Sequence, residues 1–424
     1  MPARRDLTVV SRGGSLSNRV KPGECGIVDL PITRRHFIAG SALGVALLTS
    51  GCASGGGNST DAKTRDPSLG PPRTNAGRWR MPAEEDRHDA TWMSWPSRKD
   101  VWGTALPDVQ NAIADLAVAI ATFEPVKMFA RRAEVERARR IVGDVDVEVI
   151  EGPVDDLWAR DSLPCLLVAT DPDDEAPLAA GRLRFNGWGG KQVHDGDARL
   201  AALVAEHLGI PLIDSGLTGE GGGLEVDGQG TVLAARSSWV NRNRNAGLSE
   251  GAIGRRIVEL LGAKRIVWVD GLAGEDITDG HIDTLARFAK PGLIVLDRPA
   301  FEDPGEVWFD TSVETKVALA AVDTRGGGPF EFAELVQPSS PRGRGKDFLS
   351  SYVNYYVCNG AVIAPSFGDR GADQAAAGTL RTLYPGREVV QIDIDPIAAG
   401  GGGIHCATQQ QPAIASSAAE PPTP

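Results

Sequence analysis

Residues 198–235 read ARLAALVAEHLGIPLIDSGLTGEGGGLEVDGQGTVLAA. Residues 198–209 place Ala, Leu and Val at helical spacing, and the apolar run 210–213 reads as a strand. Gly219–Gly223 is a polar, glycine-rich segment, after which Leu224–Ala235 reads as a hairpin turning at Asp227-Gly228. The same order returns with a helix at 249–262, a strand at 265–269, a polar segment at 274–281 and a hairpin around Pro291-Gly292. Near the C-terminus it appears as a helix at 372–384, a strand at 388–394 and the glycine run 400–403. An earlier copy has a helix at 131–142, a strand at 146–150 and a polar segment at 155–162. The hairpin 351–365, turning at Asn359-Gly360, gives a further one with a helix near 312–322.

A unit of one helix and a few strands cannot bury a core alone, so such units stack on one another. Five of them, at a period of roughly sixty residues, predict one propeller-like α/β domain over residues 77–412. The repeat therefore overrides the count of about three domains that length alone suggests.

The 424 residues carry 44 Lys and Arg against 56 Asp and Glu, a net charge of −12. An acidic chain without a basic block lacks the phosphate-neutralising charge that nucleic-acid binding requires. The charge suits a cationic small ligand better. With 42% apolar residues a substantial core is available. The five cysteines, at 25, 52, 165, 358 and 406, form neither a disulfide scaffold nor a zinc ribbon by count or spacing.

The first 52 residues read as an address. Thr33-Arg34-Arg35-His36-Phe37-Ile38 is a twin-arginine pair ahead of a weakly apolar run ending at Thr49, too short to span a bilayer. Ser50-Gly51-Cys52 resembles a lipoprotein cleavage box, although Thr49 stands where such boxes usually carry Leu. Export and a lipid anchor at Cys52 in the cell envelope are the expectation. Residues 53–76 have the composition of a flexible tether, and 413–424 that of an unfolded tail.

Matching places in the polar segments hold the residues fit for chemistry: Trp158-Ala159-Arg160-Asp161, Glu220, Asp279-Gly280-His281-Ile282-Asp283 and Ile404-His405-Cys406. In a closed repeat these positions converge on one pocket. A thiol, an imidazole and three carboxylates together suit a guanidinium, whose fork of N–H donors pairs with carboxylates two bonds at a time. Asp161 and Asp283 would grip the cation, and Cys406 would attack its central carbon. His281, oriented by Glu220, would protonate the departing ammonia and then activate water. His281 and Asp283, two apart, would share a side if they lay on a strand, and His405 would then point away from Cys406 as a structural residue. Trp92, Trp95 and Trp188 are candidate walls for an aliphatic guanidine. Cys165 and Cys358 lie in strand-like runs and read as core. Neither metal nor cofactor is needed, and neither glycine run carries a nucleotide-loop pattern.

These motifs, in this order, resemble the agmatine deiminases and the bacterial, Porphyromonas-type peptidylarginine deiminases. The matching stretches include Met81-Pro82-Ala83-Glu84, Ala90–Pro96, Trp158–Asp161, Asn186–Lys191, Glu220–Gly230, Asn243-Arg244-Asn245, Thr278–Asp283, Ser351–Tyr356, Pro365–Asp369 and Ile404–Pro412. The resemblance implies a five-bladed pentein-type α/β propeller. It places the family's nucleophile on Cys406, its His on His281, its guanidinium-binding carboxylates on Asp161 and Asp283, and the His-pairing Glu on Glu220. Leu163, Gly219, Gly403 and Ala407 depart from the family pattern beside the pocket without removing a catalytic group. The implied activity is hydrolysis of agmatine to N-carbamoylputrescine and ammonia through a covalent thiouronium. Peptide-bound or free arginine is the alternative substrate. An amidinotransferase and a non-catalytic guanidinium-binding lipoprotein stand behind both.

Overall fold

The computed structural model describes residues 74–414. The segments expected to be a signal (1–52), a tether (up to residue 73) and a tail (from 415) lie outside the described residues. The folded part begins slightly before residue 77. Asn75 is 1% exposed, and its carboxamide donates to the Trp79 carbonyl at 2.7 Å and to the Leu260 carbonyl at 2.9 Å. At the other end the Ala413 amide donates to the Arg87 carbonyl at 2.7 Å.

Five small sheets share one wiring. In each, a short strand pairs antiparallel with a central strand, which pairs parallel with a third after a helical crossover. The short antiparallel strands are Cys165–Ala169, Leu224–Val226, Ala286–Lys290, Tyr356–Cys358 and Gln409–Pro412, and Trp79–Arg80 adds to the far side of the first. The crossover helices are Leu200–Leu208, Glu250–Leu260, Val307–Ala320, Arg370–Leu383 and Leu106–Ala121. Parallel pairing requires such a crossover, which sets the length of each unit. The last strand of the chain, Gln409–Pro412, pairs with His88–Ser94 near its start, Gln409 opposite Trp92.

Local sequence explains the elements. Leu200–Leu208 buries Leu200, Ala201, Val204 and Ala205 on one face and stops at Gly209, which takes the left-handed conformation at φ 65°. Glu250–Leu260 starts at Ser249, whose side chain accepts from the Ala252 amide, and buries Ile253, Ile257 and Leu260. The central strand Thr231–Ala235 is buried along its whole length because strands flank it on both sides.

One part of the repeat differs from the sequence reading. The helix Val135–Val142 and strand Val147–Glu151 form an extra unit added to the edge of the sheet built on His88–Ser94. The crossover equivalent to the others is Leu106–Ala121, with Leu106, Val109, Ile113, Leu116 and Ile120 on its buried face.

Candidate active site

The segments leading into these five antiparallel strands carry the residues of the site. Asp161 lies in the helical turn Ala159–Ser162 before Cys165–Ala169, and Glu220 precedes the turn Gly221–Gly223 before Leu224–Val226. Asp283 lies in the turn Ile282–Thr284 before Ala286–Lys290, with His281 at its start. Asn354 precedes Tyr356–Cys358, and Cys406 precedes Gln409–Pro412. None of these residues sits on a strand, which corrects the sequence reading. His281 and Asp283 share the site because a tight turn presents both.

The side chains meet. Cys406 Sγ is 3.4 Å from Asp283 Oδ2, and Asn354 Nδ2 approaches the same sulfur at 3.3 Å. His281 Nε2 lies 3.3 Å from Glu220 Oε2, while its Nδ1 faces Asp161 Oδ1 at 3.8 Å. Asp161 is fixed by the Gly222 amide on Oδ1 at 3.1 Å and by the Trp188 indole N–H on Oδ2 at 2.9 Å. Two buried polar atoms of the site lack a hydrogen-bond partner, His281 Nδ1 and Asp283 Oδ1. Buried polar atoms are normally satisfied, so the Asp283 oxygen marks where a bound group with N–H donors and positive charge would complete the site.

Burial would raise Asp283, but the His405 imidazole beside it outweighs that and lowers its carboxyl. Burial raises Asp161 to about 6, assisted by Glu220 and Asp283 and opposed by His281. For His281 burial acts downward, yet Asp161, then Glu220 and Asp283, raise the imidazole to about 9. The Cys406 thiol is pushed well above its ordinary value by burial and by Asp283 and Asp161. The site therefore combines a thiol with a protonated histidine.

Glu220 is shared. Arg244 Nε donates to both of its oxygens, at 2.9 and 3.0 Å, and Arg244 Nη1 reaches Asp279 Oδ2 at 2.8 Å. Arg244 and Asn354 are functional neighbours that reasoning from residue chemistry missed. Both lie in stretches noted only as matching motifs, Asn243-Arg244-Asn245 and Ser351–Tyr356.

His281, Asp283 and Cys406 line a cavity of about 840 Å³. Its aromatic walls are Trp102, Trp158, Trp308 and Phe348, which replace the expected ones. Trp95 is fully buried in the core and does not reach the cavity. Trp92 is also fully buried, its indole N–H donating to Gln411 Oε1 at 3.0 Å. Trp188 acts through its hydrogen bond to Asp161 rather than as a wall. The glycine run lets the true walls come close, since a Cβ at Gly402 would lie 2.2 Å from the Trp158 ring. Cys165 and Cys358 are buried in the core as expected.

A family model described as Porphyromonas-type peptidyl-arginine deiminase matches residues 80–412. The agmatine deiminase of Medicago truncatula is 34% identical over 365 residues, covering 79% of this chain and 96% of that protein. That of Pseudomonas aeruginosa (strain LESB58) is 34% identical over 360 residues, covering 79% and 96%. The solved agmatine deiminase of Enterococcus faecalis superposes with a TM-score of 0.74 at 26% identity, covering 80% of this chain and 97% of that one. The chain thus belongs to the family of agmatine deiminases and Porphyromonas-type peptidyl-arginine deiminases, and is an amidine-hydrolysing enzyme with a mixed α/β fold.

Proposed function

We propose that this enzyme hydrolyses agmatine to N-carbamoylputrescine and ammonia with Cys406 as covalent nucleophile. The observation that carries this reading is the arrangement at the cavity wall: Cys406 against Asp283, with His281 held between Glu220 and Asp161. The five sheets, each sending at least one residue to the same place, support an arrangement as blades of a single propeller around the site.

A guanidinium entering between Asp161 and Asp283 brings a positive charge next to the thiol. The thiol proton leaves to solvent and the thiolate forms beside the cation. Sulfur bonds to the guanidinium carbon, giving a neutral tetrahedral adduct. The His281 imidazolium passes its proton to one amino group, the C–N bond breaks, and ammonia departs to leave a thiouronium cation. Neutral His281, restrained by Glu220, then takes a proton from water as its oxygen bonds to the same carbon. Collapse of this second adduct breaks the C–S bond, expels thiolate and releases the hydroxyl proton to solvent, leaving a neutral ureido product.

The charge of the cavity supports a substrate with an amine at its far end. Eight carboxylate residues line it against Lys346 and His281, and no arginine does. The α-carboxylate of free arginine would meet a wall of its own sign, whereas the ammonium of agmatine is attracted to it. A peptide-bound arginine, which lacks that carboxylate, is the second reading, and the export signal favours it. Export through the twin-arginine pathway and a lipid anchor at Cys52 are part of the proposal, on sequence alone.

The test is ammonia release by the purified protein given agmatine, free arginine or an arginine-containing peptide, with Cys406→Ser as control. Turnover of agmatine that the substitution abolishes supports the proposal. Turnover of the peptide alone transfers the chemistry to a protein substrate, and silence on all three refutes the assignment.

A further inference from the structure

Behind the wall that carries Cys406 lies a buried ionic chain that the reaction described above does not use. His405 stands within it, 1% exposed and absent from the cavity lining. Its Nδ1 is 2.8 Å from Asp283 Oδ2, and its Nε2 is 3.0 Å from Glu84 Oε2. Glu84 also accepts from Arg160 Nη2 at 3.1 Å, from Arg287 Nη2 at 2.8 Å and from the Val357 amide at 2.9 Å. Arg160 turns back to donate to the His405 carbonyl at 3.3 Å, and Arg287 reaches Glu225 at 3.5 Å.

A neutral imidazole has one N–H and one lone pair. Between two carboxylates it would set that lone pair against an oxygen, whereas an imidazolium donates on both sides. Charged, it also evens the chain: Asp283, Glu84 and Glu225 face His405, Arg160 and Arg287. Burying this many charges is tolerable only when each is paired.

The consequence falls on Asp283. Oδ2 is engaged by His405 and lies 3.4 Å from Cys406 Sγ, while Oδ1 is left without a partner in a residue that lines the cavity. Resting on the guanidinium reading, we propose that His405 is a positioning residue that acts through Asp283. Its charged ring pins Oδ2 and leaves Oδ1 for the substrate cation, while Cys406, the next residue in the chain, is set against the same carboxylate. Neither ring nitrogen touches substrate.

His405→Phe removes both donors, and His405→Gln keeps one. With the Cys406→Ser protein as background, the agmatine Kd should rise about tenfold or more in His405→Phe, and less in His405→Gln, the order expected when a hydrogen bond to a charged group is lost. A purely structural role would lower the melting temperature and leave the Kd of the folded protein unchanged, which overturns the proposal. Should both variants misfold, the unsubstituted ring still decides. In protein carrying both His281→Asn and His88→Gln, the latter removing the other buried ring that faces a carboxylate (Glu124, 3.1 Å), 15N-histidine spectra at pH 8 should retain one imidazole with both nitrogens protonated, and a set of neutral rings overturns the proposal. Wild-type agmatine turnover is measured alongside. Its absence together with a doubly protonated ring refutes the functional reading while supporting the clamp, and turnover with only neutral rings refutes the clamp alone.

Discussion

Gly222 is the point at which the site has no spare room. A Cβ there would lie 2.7 Å from His281 Nδ1, 2.9 Å from Asp161 Oδ1 and 3.1 Å from Asp283 Oδ2. Its φ is not among the positive ones, so Gly222→Ala adds a methyl group without backbone strain. Ordinary contact begins near 3.4 Å, so His281 must retreat by roughly 0.7 Å and Asp161 by roughly 0.5 Å. Neither is free to do so alone, because Glu220 restrains His281 and Trp188 restrains Asp161. A displacement approaching 1 Å at reacting groups lowers a rate by about 10²-fold. Overpacking itself costs about 1–3 kcal/mol, a drop of a few degrees in melting temperature for a domain this large. Steady-state ammonia release from agmatine, beside a thermal melt, should thus show a folded protein with kcat/KM reduced about 10²-fold. Gly378→Ala is the control. It is exposed on the helix Arg370–Leu383 with no atom within 4 Å of the added carbon. It should leave kcat/KM unchanged and add about 0.5–1 kcal/mol of stability. Unaltered kcat/KM in a normally melting Gly222→Ala protein would refute the reasoning, since the three side chains could not then converge on that glycine.

Three other outcomes follow from the same geometry. Asp161 must be ionised to pair with a guanidinium and is raised to about 6, so agmatine affinity in Cys406→Ser protein should weaken about tenfold per pH unit below that value and level off above it. Asp161→Asn should bind weakly throughout and lose this limb, and a flat profile in the Cys406→Ser protein would contradict the assignment. Calorimetry in buffers of different ionisation heats should register release of about one proton when agmatine binds His281→Asn protein, which lacks the acid for the departing ammonia, and none when Cys406→Ser is added to it, as a thiol ionising beside the cation requires. Equal release from both would place the proton elsewhere. Full-length protein expressed with a labelled fatty acid should carry the label, and Cys52→Ser should lose it, whereas an unlabelled wild type would rule out the anchor.

Much of the fold was legible because each unit repeats a local pattern. The strand Arg265–Val269 and the hairpin about Asn359-Gly360 lie where alternation and turn residues place them. The extra unit Val135–Val142 with Val147–Glu151 passed for a repeat copy because its local signals match those of a true one. Only the pairing of Val126–Ala130 on its other side reveals it as an addition. The chemistry-bearing set was legible from residue type and position, and the geometry brings Cys406, His281, Glu220, Asp161 and Asp283 together. Roles that depend on partners were not. Trp188 reads as an aromatic wall until its indole N–H is seen on Asp161, and Trp95 until its burial is known. His405 was expected to face away from the cavity and does, but from a turn, and onto Asp283 and Glu84. No spacing rule links residues 84, 283 and 405, because only the packing of segments far apart in sequence brings them together.

The most direct test of the central claim is an acid quench of wild-type enzyme turning over agmatine, followed by mass spectrometry of the peptide containing Cys406. The account predicts a thiouronium adduct on Cys406, one ammonia lighter than the sum of enzyme and agmatine, that is absent from Cys406→Ser and decays with free N-carbamoylputrescine as product. Agmatine turnover that persists in Cys406→Ser, or an adduct on another residue, would contradict it.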